Sequence, residues 1–177
     1  IPFRDVVLHG MVKDPLGKKM SKSKGNVVDP IEIVDQYGAD AVRFALIYGT
    51  AFGNDQSLSY PKLQAARNFA NKLWNIGRFI EMNEVSSIRY PAEGEARQWR
   101  QVLSIKELGK IAKHKNDKEM INKTQKLIKE VTGDIETYNF HYAAEKLYDF
   151  TWHEFADRYI EDVKGRIDKN SYFILHH

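Results

Sequence analysis

A lysine-rich stretch near the start of the sequence holds the residues best suited to chemistry. Residues 18–26, here called the lysine loop, read Lys-Lys-Met-Ser-Lys-Ser-Lys-Gly-Asn and contain no acidic residue. The four lysines concentrate positive charge, Ser21 and Ser23 add hydroxyl donors, and Gly25 lets the backbone approach a ligand closely. This composition predicts a mobile clamp for a polyanion such as a nucleotide triphosphate.

The lysine loop is not a Walker loop. That motif needs a glycine, four further residues, and then Gly-Lys followed by Ser or Thr, an order that does not occur in this sequence. On charge alone, an exposed basic loop without any ligand is the simpler alternative.

The residues before the lysine loop predict a strand and a turn. Asp5–His9 reads as a buried strand, and Asp14–Gly17 has the Asp, Pro and Gly positions of a type I turn. A lone strand cannot pair its backbone groups or bury both of its faces. We therefore expect the first 28 residues to be the end of an α/β domain whose other strands are missing, and the chain to be a fragment.

Helices are predicted for almost all of the chain after residue 28. N-cap residues, prolines and apolar stripes at helical spacing mark their starts. The predicted starts are Asp29, Asp40, Pro61, Pro91, Asn116 or Asp117, and His141, with a break at Tyr138–Phe140 and a further helix beginning over 170–177. Long amphipathic helices with short connectors predict a mainly α fold, an antiparallel helical bundle.

Composition limits the classes of protein that the sequence fits. The chain has 177 residues, 42% of them apolar and 29% charged, as in a globular protein of one domain or slightly more. No apolar run is long enough to predict a membrane span. Cysteine is absent, which excludes disulfides and thiolate metal sites and favours a cytoplasmic location. The net charge is +3, but residues 106–129 carry +5 and residues 130–168 carry −6, so only part of the surface suits phosphates.

The lysine loop and the residues after it resemble the class I aminoacyl-tRNA synthetases. The matching residues are Lys19–Ser23 followed by Gly25 and Asn26, then Asp29-Pro30 and Tyr37–Phe44. Within that class, Gly53–Asp55 and Ala66–Asn75 are most similar to the valyl-tRNA synthetases. Tyr138–Phe140 and Trp152–Phe155 look like the anticodon-binding bundle of the same enzymes. The sequence departs from this family at Gln56, Gln101 and Arg158.

This resemblance implies three segments and one reaction. Residues 1–28 would end a Rossmann-type catalytic domain, residues 29–60 would form connecting helices that contact the tRNA stem, and residues 61–177 would form a truncated anticodon-binding helical domain. The reaction is the ATP-dependent activation of valine, in which pyrophosphate leaves and negative charge builds on the phosphates. Lys22, assisted by Lys19, would stabilise that charge as the catalytic groups.

The resemblance also implies the binding residues. ATP, with its magnesium ion, would be bound by Lys19, Met20, Ser21, Lys22, Ser23, His9 and Gly10. Residues expected to bind tRNA(Val) are Arg67, Lys72, Lys110, Lys113, Tyr138 and His141. Phosphate contacts would come from the lysine row at 110, 113, 115, 118, 123, 126 and 129. No protein metal site and no membrane partner are expected.

Two alternatives remain open on the sequence. An isoleucyl- or leucyl-tRNA synthetase would share the lysine loop, and a non-catalytic synthetase-like adaptor would bind RNA without chemistry. The other ATP-binding signature of the class, His-x-Gly-His, is absent from the chain. Valine binding should also depend on residues outside it. We therefore expect the chain alone to bind tRNA at most and to have no ligase activity.

Overall fold

Helices dominate the computed structural model of the chain, which confirms the predicted mainly α class. The structure describes residues 2–82, 109–110, 112–166 and 174–175. The helix predicted from Pro91 lies outside these residues, as does most of the one predicted over 170–177. The elements are β1 (Val12–Lys13), α1 (Pro30–Tyr37), α2 (Ala39–Ile47), β2 (Gln56–Ser57), α3 (Tyr60–Met82), α4 (Lys115–Glu136), α5 (Phe140–Asp149), a π-helical segment (Phe150–Ile160) and α6 (Glu161–Lys164).

The chain forms two compact units. Unit 1 consists of residues 1–73 and 129–149, and unit 2 consists of residues 74–128 and 150–177. The long helices α3 and α4 each contribute residues to both units. No helix of the described ranges is long and apolar enough to cross a membrane.

Unit 1 packs α1, α2 and the start of α3 against a short parallel β-pair. Val12 lies opposite Gln56 and Lys13 opposite Ser57. Asp29 caps α1 as predicted, since its carboxylate accepts a hydrogen bond from the Ile31 amide at 2.8 Å. The buried apolar residues of this core are Ile33, Ala41, Val42, Ala45, Leu58, Leu63 and Ala66.

The strand predicted over Asp5–His9 is wrong for this structure. These residues form no strand, and Val6 and Leu8 are 75% and 76% exposed. An extended segment becomes a strand only when a neighbour accepts and donates its backbone hydrogen bonds. Among the described residues, the strand available for pairing is β2, and it pairs with Val12 and Lys13 rather than with residues 5–9.

Unit 2 is built around apolar residues of α4, the π-helical segment and α6. The buried residues of this core are Ala112, Met120, Ile121, Tyr159, Ile160, Val163, Ile174 and Leu175. The predicted helix start at Asn116 or Asp117 is wrong, because α4 already begins at Lys115 and Asp117 is fully buried. The predicted break after α4 is confirmed by the positive φ of 61° at Tyr138.

Candidate functional site

The lysine loop presents its four lysines to solvent. Lys18, Lys19, Lys22 and Lys24 are all exposed, and none pairs with a carboxylate among the residues that the structure describes. Four ammonium groups that are close in sequence and not neutralised make a strong site for a polyanion. The charge that the sequence predicted here is therefore available to a ligand.

A turn in the middle of the lysine loop sets its shape. Residues 22–24 form one 3-10 turn, and Gly25 closes it with a φ of 65°, a conformation that favours glycine. The hydroxyls of Ser21 and Ser23 lie 2.7 Å apart within hydrogen-bond distance. The Met20 sulfur accepts a weak hydrogen bond from the Val28 amide at 3.5 Å. The serines thus shape the loop as well as offering donors.

The two ends of the lysine loop are joined by a polar pair that sequence reasoning missed. Asp14 is buried, and its carboxylate accepts hydrogen bonds from the amide groups of Leu16, Lys18 and the Asn26 side chain, at 3.0, 2.7 and 2.8 Å. The hydrogen bond from Asn26, followed by that from the Lys18 amide, lowers the pKa of Asp14. The predicted turn is confirmed by the hydrogen bond from the Gly17 amide to the Asp14 carbonyl at 2.9 Å.

Asp55 fixes the segment that leads into the loop. Its carboxylate accepts from the Met11 amide at 2.8 Å and pairs with the Lys13 ammonium at 2.9 Å, and these hydrogen bonds lower the pKa of Asp55. Gly10 lies so close to this segment that a Cβ there would be 1.9 Å from the Asn54 carbonyl oxygen. Only glycine allows this approach, which gives Gly10 a structural role beside the predicted ATP-binding one.

His9 and Gly10 line a cavity of about 240 Å³ in unit 1. The His9 Nδ1 atom lies 2.8 Å from the Gly10 carbonyl oxygen. His141 lines the same cavity, although the sequence placed His9 with ATP and His141 with tRNA. Other residues lining the cavity include Thr50, Phe52, Asn54, Gln56 and Phe140.

Gln56, where the sequence departs from the resembled family, ties this cavity to Lys62. Its Nε2 group donates to the Leu46 carbonyl at 2.8 Å, and its Oε1 atom accepts from the Lys62 ammonium at 3.1 Å. Lys62 also donates to the Thr50 hydroxyl at 3.3 Å. Desolvation by burial lowers the pKa of Lys62. The sequence did not single out Lys62, since one lysine within an amphipathic helix has no distinctive spacing.

The residues predicted to bind tRNA differ in accessibility. Lys110 and Lys113 are exposed, and exposed Arg67 donates to the Gln36 carbonyl at 3.1 Å. Tyr138 is 40% exposed, whereas His141 is 8% exposed with its ring 4.0 Å from the ring of Tyr142. Lys72 is half-buried. Whether these six residues contact tRNA stays a prediction.

One lysine of the predicted phosphate footprint, Lys123, lies in two ion pairs. The Lys123 ammonium lies 2.9 Å from Glu119 and 2.7 Å from Glu154, and Arg158 also donates to Glu154 at 3.0 Å. The hydrogen bonds to Glu154 and then Glu119 raise the pKa of Lys123. Lys123 is therefore an ion-paired lysine, and whether it contacts phosphate stays a prediction. No group of three or more candidate metal ligands occurs in the described ranges.

Known proteins match both parts of the chain. The family described as tRNA synthetases class I (I, L, M and V) matches residues 1–59, and the anticodon-binding domain of tRNA ligase matches residues 117–177. Curated relatives include the valine–tRNA ligases of Dehalococcoides mccartyi, 46% identical over 94% of this chain, and of Clostridium acetobutylicum, 43% identical over 93%. The chain spans 17% of the length of each of these two relatives.

Solved synthetases have a similar fold. A LeuRS of Agrobacterium radiobacter K84, solved in a ternary complex with tRNA and LeuAMS, matches with a TM-score of 0.66 and 26% identity, over 94% of this chain and 18% of its own. The methionyl-tRNA synthetase of Mycobacterium tuberculosis matches in fold, with a TM-score of 0.67 and 24% identity over 94% of this chain and 31% of its own. Residues 1–59 therefore belong to the family of class I tRNA synthetases for isoleucine, leucine, methionine and valine, and residues 117–177 belong to the family of anticodon-binding domains of tRNA ligases.

Proposed function

We propose that the whole protein is a valine–tRNA ligase and that this chain supplies its phosphate-binding lysine loop and tRNA-binding helices. The observation that carries this proposal is the lysine loop itself, whose four exposed lysines have no carboxylate partner among the described residues. The 46% identity to a valine–tRNA ligase favours valine over isoleucine or leucine. It also disfavours an adaptor that binds RNA without chemistry.

The lysine loop would act in the first half-reaction. The valine carboxylate attacks the α-phosphorus of ATP, which enters with its magnesium ion, and the bond to the departing pyrophosphate breaks. Lys22 and Lys19 would stabilise the charge that builds on the phosphates, and a positioned donor of this kind is worth about 10²–10³-fold in rate. Met20, Ser21, Ser23, His9 and Gly10 are the further residues proposed to contact ATP.

The helical part of the chain would bind tRNA(Val). Lysines bind phosphates without reading sequence, whereas anticodon bases are recognised by stacking and by hydrogen bonds to their edges. We assign phosphate contacts to Arg67, Lys72, Lys110 and Lys113 and base contacts to Tyr138 and His141. These roles fit a division into residues 1–28, 29–60 and 61–177 as catalytic, stem-contact and anticodon-binding segments. The proposed setting is the cytoplasm, where tRNA is charged.

Amino-acid-dependent exchange of pyrophosphate into ATP by the whole protein tests the catalytic proposal. Valine should support exchange better than isoleucine or leucine. Lys22→Met should lower it by about 10²–10³-fold. Lys118→Met is the matched control, because this exposed lysine lies on α4 and the exchange reaction does not use tRNA. If none of the three amino acids supports exchange, the ligase proposal is refuted. A preference for leucine or isoleucine would refute the valine assignment.

Binding of the chain to tRNA(Val) and to the same tRNA with a changed anticodon tests the proposed tRNA-binding role. Tighter binding to the native anticodon at near-physiological salt is expected if bases are read. Equal affinities with a steep salt dependence would mean that the lysines bind phosphates alone.

A further inference from the structure

Asn26 is bonded to both sides of the lysine loop's centre. Its Nδ2 group donates to the Lys19 carbonyl at 3.1 Å and to the Asp14 carboxylate at 2.8 Å, and its Oδ1 atom accepts from the Ser21 amide at 2.9 Å. The side-chain amide thereby uses both of its N–H donors and its oxygen. Because Lys19 and Ser21 flank Met20, Asn26 holds the loop backbone on either side of this residue.

Asp14 fixes the other end of the same network. Its side chain is bonded to Leu16, Lys18 and Asn26, and its carbonyl accepts from the Ser57 hydroxyl at 2.6 Å. Ser57 belongs to β2, so this contact ties the loop to the β-pair. Asp14 is 4% exposed, and both of its carboxylate oxygens accept hydrogen bonds. A buried carboxylate whose oxygens are all hydrogen-bonded is held rigidly.

We propose that Asn26 and Asp14 are positioning residues that lock the two ends of the lysine loop and thereby direct Lys19 and Lys22 towards the phosphates of ATP. This inference rests on the proposed function, since it assumes that the loop binds ATP. Neither side chain touches the ligand in this proposal. They act through the backbone of the loop, and small displacements of catalytic groups cost up to about 10²-fold in rate.

Exchanging the Asp14 and Asn26 side chains tests whether their contact, here called the lock, positions the loop. Asn26→Asp replaces the amide donor by a carboxylate that would face Asp14 at about the present 2.8 Å contact, so it should repel. Asn26→Ala removes the three bonds without adding charge. In the double variant Asp14→Asn with Asn26→Asp, the new amide at 14 donates to the new carboxylate at 26, while its oxygen still accepts from the Leu16 and Lys18 amides. The hydrogen bond from residue 26 to the Lys19 carbonyl is not restored.

The variants are compared in the whole protein by valine-dependent pyrophosphate exchange. Asn26→Asp should lower kcat by about 10- to 100-fold without changing KM for valine, and Asn26→Ala should lower it less. The double variant should recover part of the loss seen in Asn26→Asp, because the contact between positions 14 and 26 returns while the bond to the Lys19 carbonyl does not. A purely structural role would lower the yield of folded protein but leave kcat per folded molecule unchanged. Wild-type kcat in both Asn26 variants, or a double variant no better than Asn26→Asp, would overturn the proposal.

Amide hydrogen exchange separates this proposal from the proposed function. In the whole protein, peptides that cover residues 14–26 should exchange faster in Asn26→Ala, whereas peptides from α4 should not change. This result is expected even if the wild-type protein shows no pyrophosphate exchange, in which case the proposed function fails and the lock stands as a structural device only. Unchanged protection of residues 14–26 would refute the lock whatever the activity.

Discussion

Removal of Arg166 should destabilise unit 2 strongly. Its Nη2 group donates to Asp117 Oδ1 at 2.6 Å and to Asp162 Oδ2 at 2.6 Å. Asp117 is fully buried, and its other described partner is the Tyr159 hydroxyl, which donates to Oδ1 at 3.1 Å. Its Oδ2 atom has no hydrogen-bond partner in the described part of the chain. The charge of Asp117 therefore depends on Arg166.

The expected cost of Arg166→Met follows from that dependence. Removing one partner of a buried ion pair leaves an uncompensated charge and costs about 3–5 kcal/mol. We expect about 3 kcal/mol, the lower end, because the Arg166 side chain is 19% exposed and Tyr159 still donates to Asp117. The simultaneous loss of the pair with Asp162, which lies nearer the surface, adds at most about 1 kcal/mol.

A double-mutant cycle shows whether the buried charge is the cause. Asp117→Asn removes the charge while keeping an oxygen for the Tyr159 hydroxyl, so Arg166→Met should cost about 1 kcal/mol or less in that background. The free energies of unfolding are measured by urea denaturation followed by circular dichroism at pH 7. Equal costs of Arg166→Met in both backgrounds, or a cost below about 1 kcal/mol in the native one, would refute the reasoning.

Three further predictions concern unit 1. Gly10→Ala should lower the midpoint of thermal unfolding because its Cβ would overlap the Asn54 carbonyl, whereas the control Gly77→Ala, on a part of α3 with open space, should raise it or leave it unchanged. Asp29→Ala should cost about 1 kcal/mol of the free energy of unfolding by removing the α1 cap, and a loss near zero by urea denaturation would contradict this. Because the pKa of Asp14 is lower when folded than when unfolded, its stabilisation is present above about pH 4 and is lost as the pH falls through the folded pKa. The protection factors of residues 14–26, which correct for the intrinsic pH dependence of amide exchange, should therefore fall on acidification in the wild type, and Asn26→Ala should weaken this response.

The features that the sequence predicted correctly depend on neighbouring residues. The turn at Asp14–Gly17 and the Asp29 cap each involve residues within four positions. Tyr138, where the helical pattern breaks, has a backbone that cannot continue a helix. Local rules apply at these sites because the hydrogen bonds that define the turn and the cap join residues close in sequence.

The errors share a different cause, which is pairing between distant residues. Asp117 reads as a helix cap, but its partner Arg166 lies 49 residues away. The ion pair between Lys123 and Glu154, 31 residues away, has no signal in the sequence either. Polar residues look exposed in a sequence, and the burial of a charged pair depends on contacts that no local pattern encodes.

The lysine loop has both a feature that the sequence predicted, its lysines, and a feature that depends on more distant residues, its Asp14–Asn26 contact. The four lysines are exposed and lie within seven residues, so composition alone identified them. Asp14 and Asn26 carry no such signal, because an aspartate before Pro-Leu-Gly reads as a turn residue and nothing more. Yet the Asp14 carboxylate accepts its hydrogen bonds from amide groups, and the nearby Lys18 ammonium is only the last of the causes that lower its pKa. Among the described residues, Asp14 therefore holds the shape of the loop through hydrogen bonds to amide groups and not through a salt bridge to a lysine, which leaves the lysines exposed to a ligand.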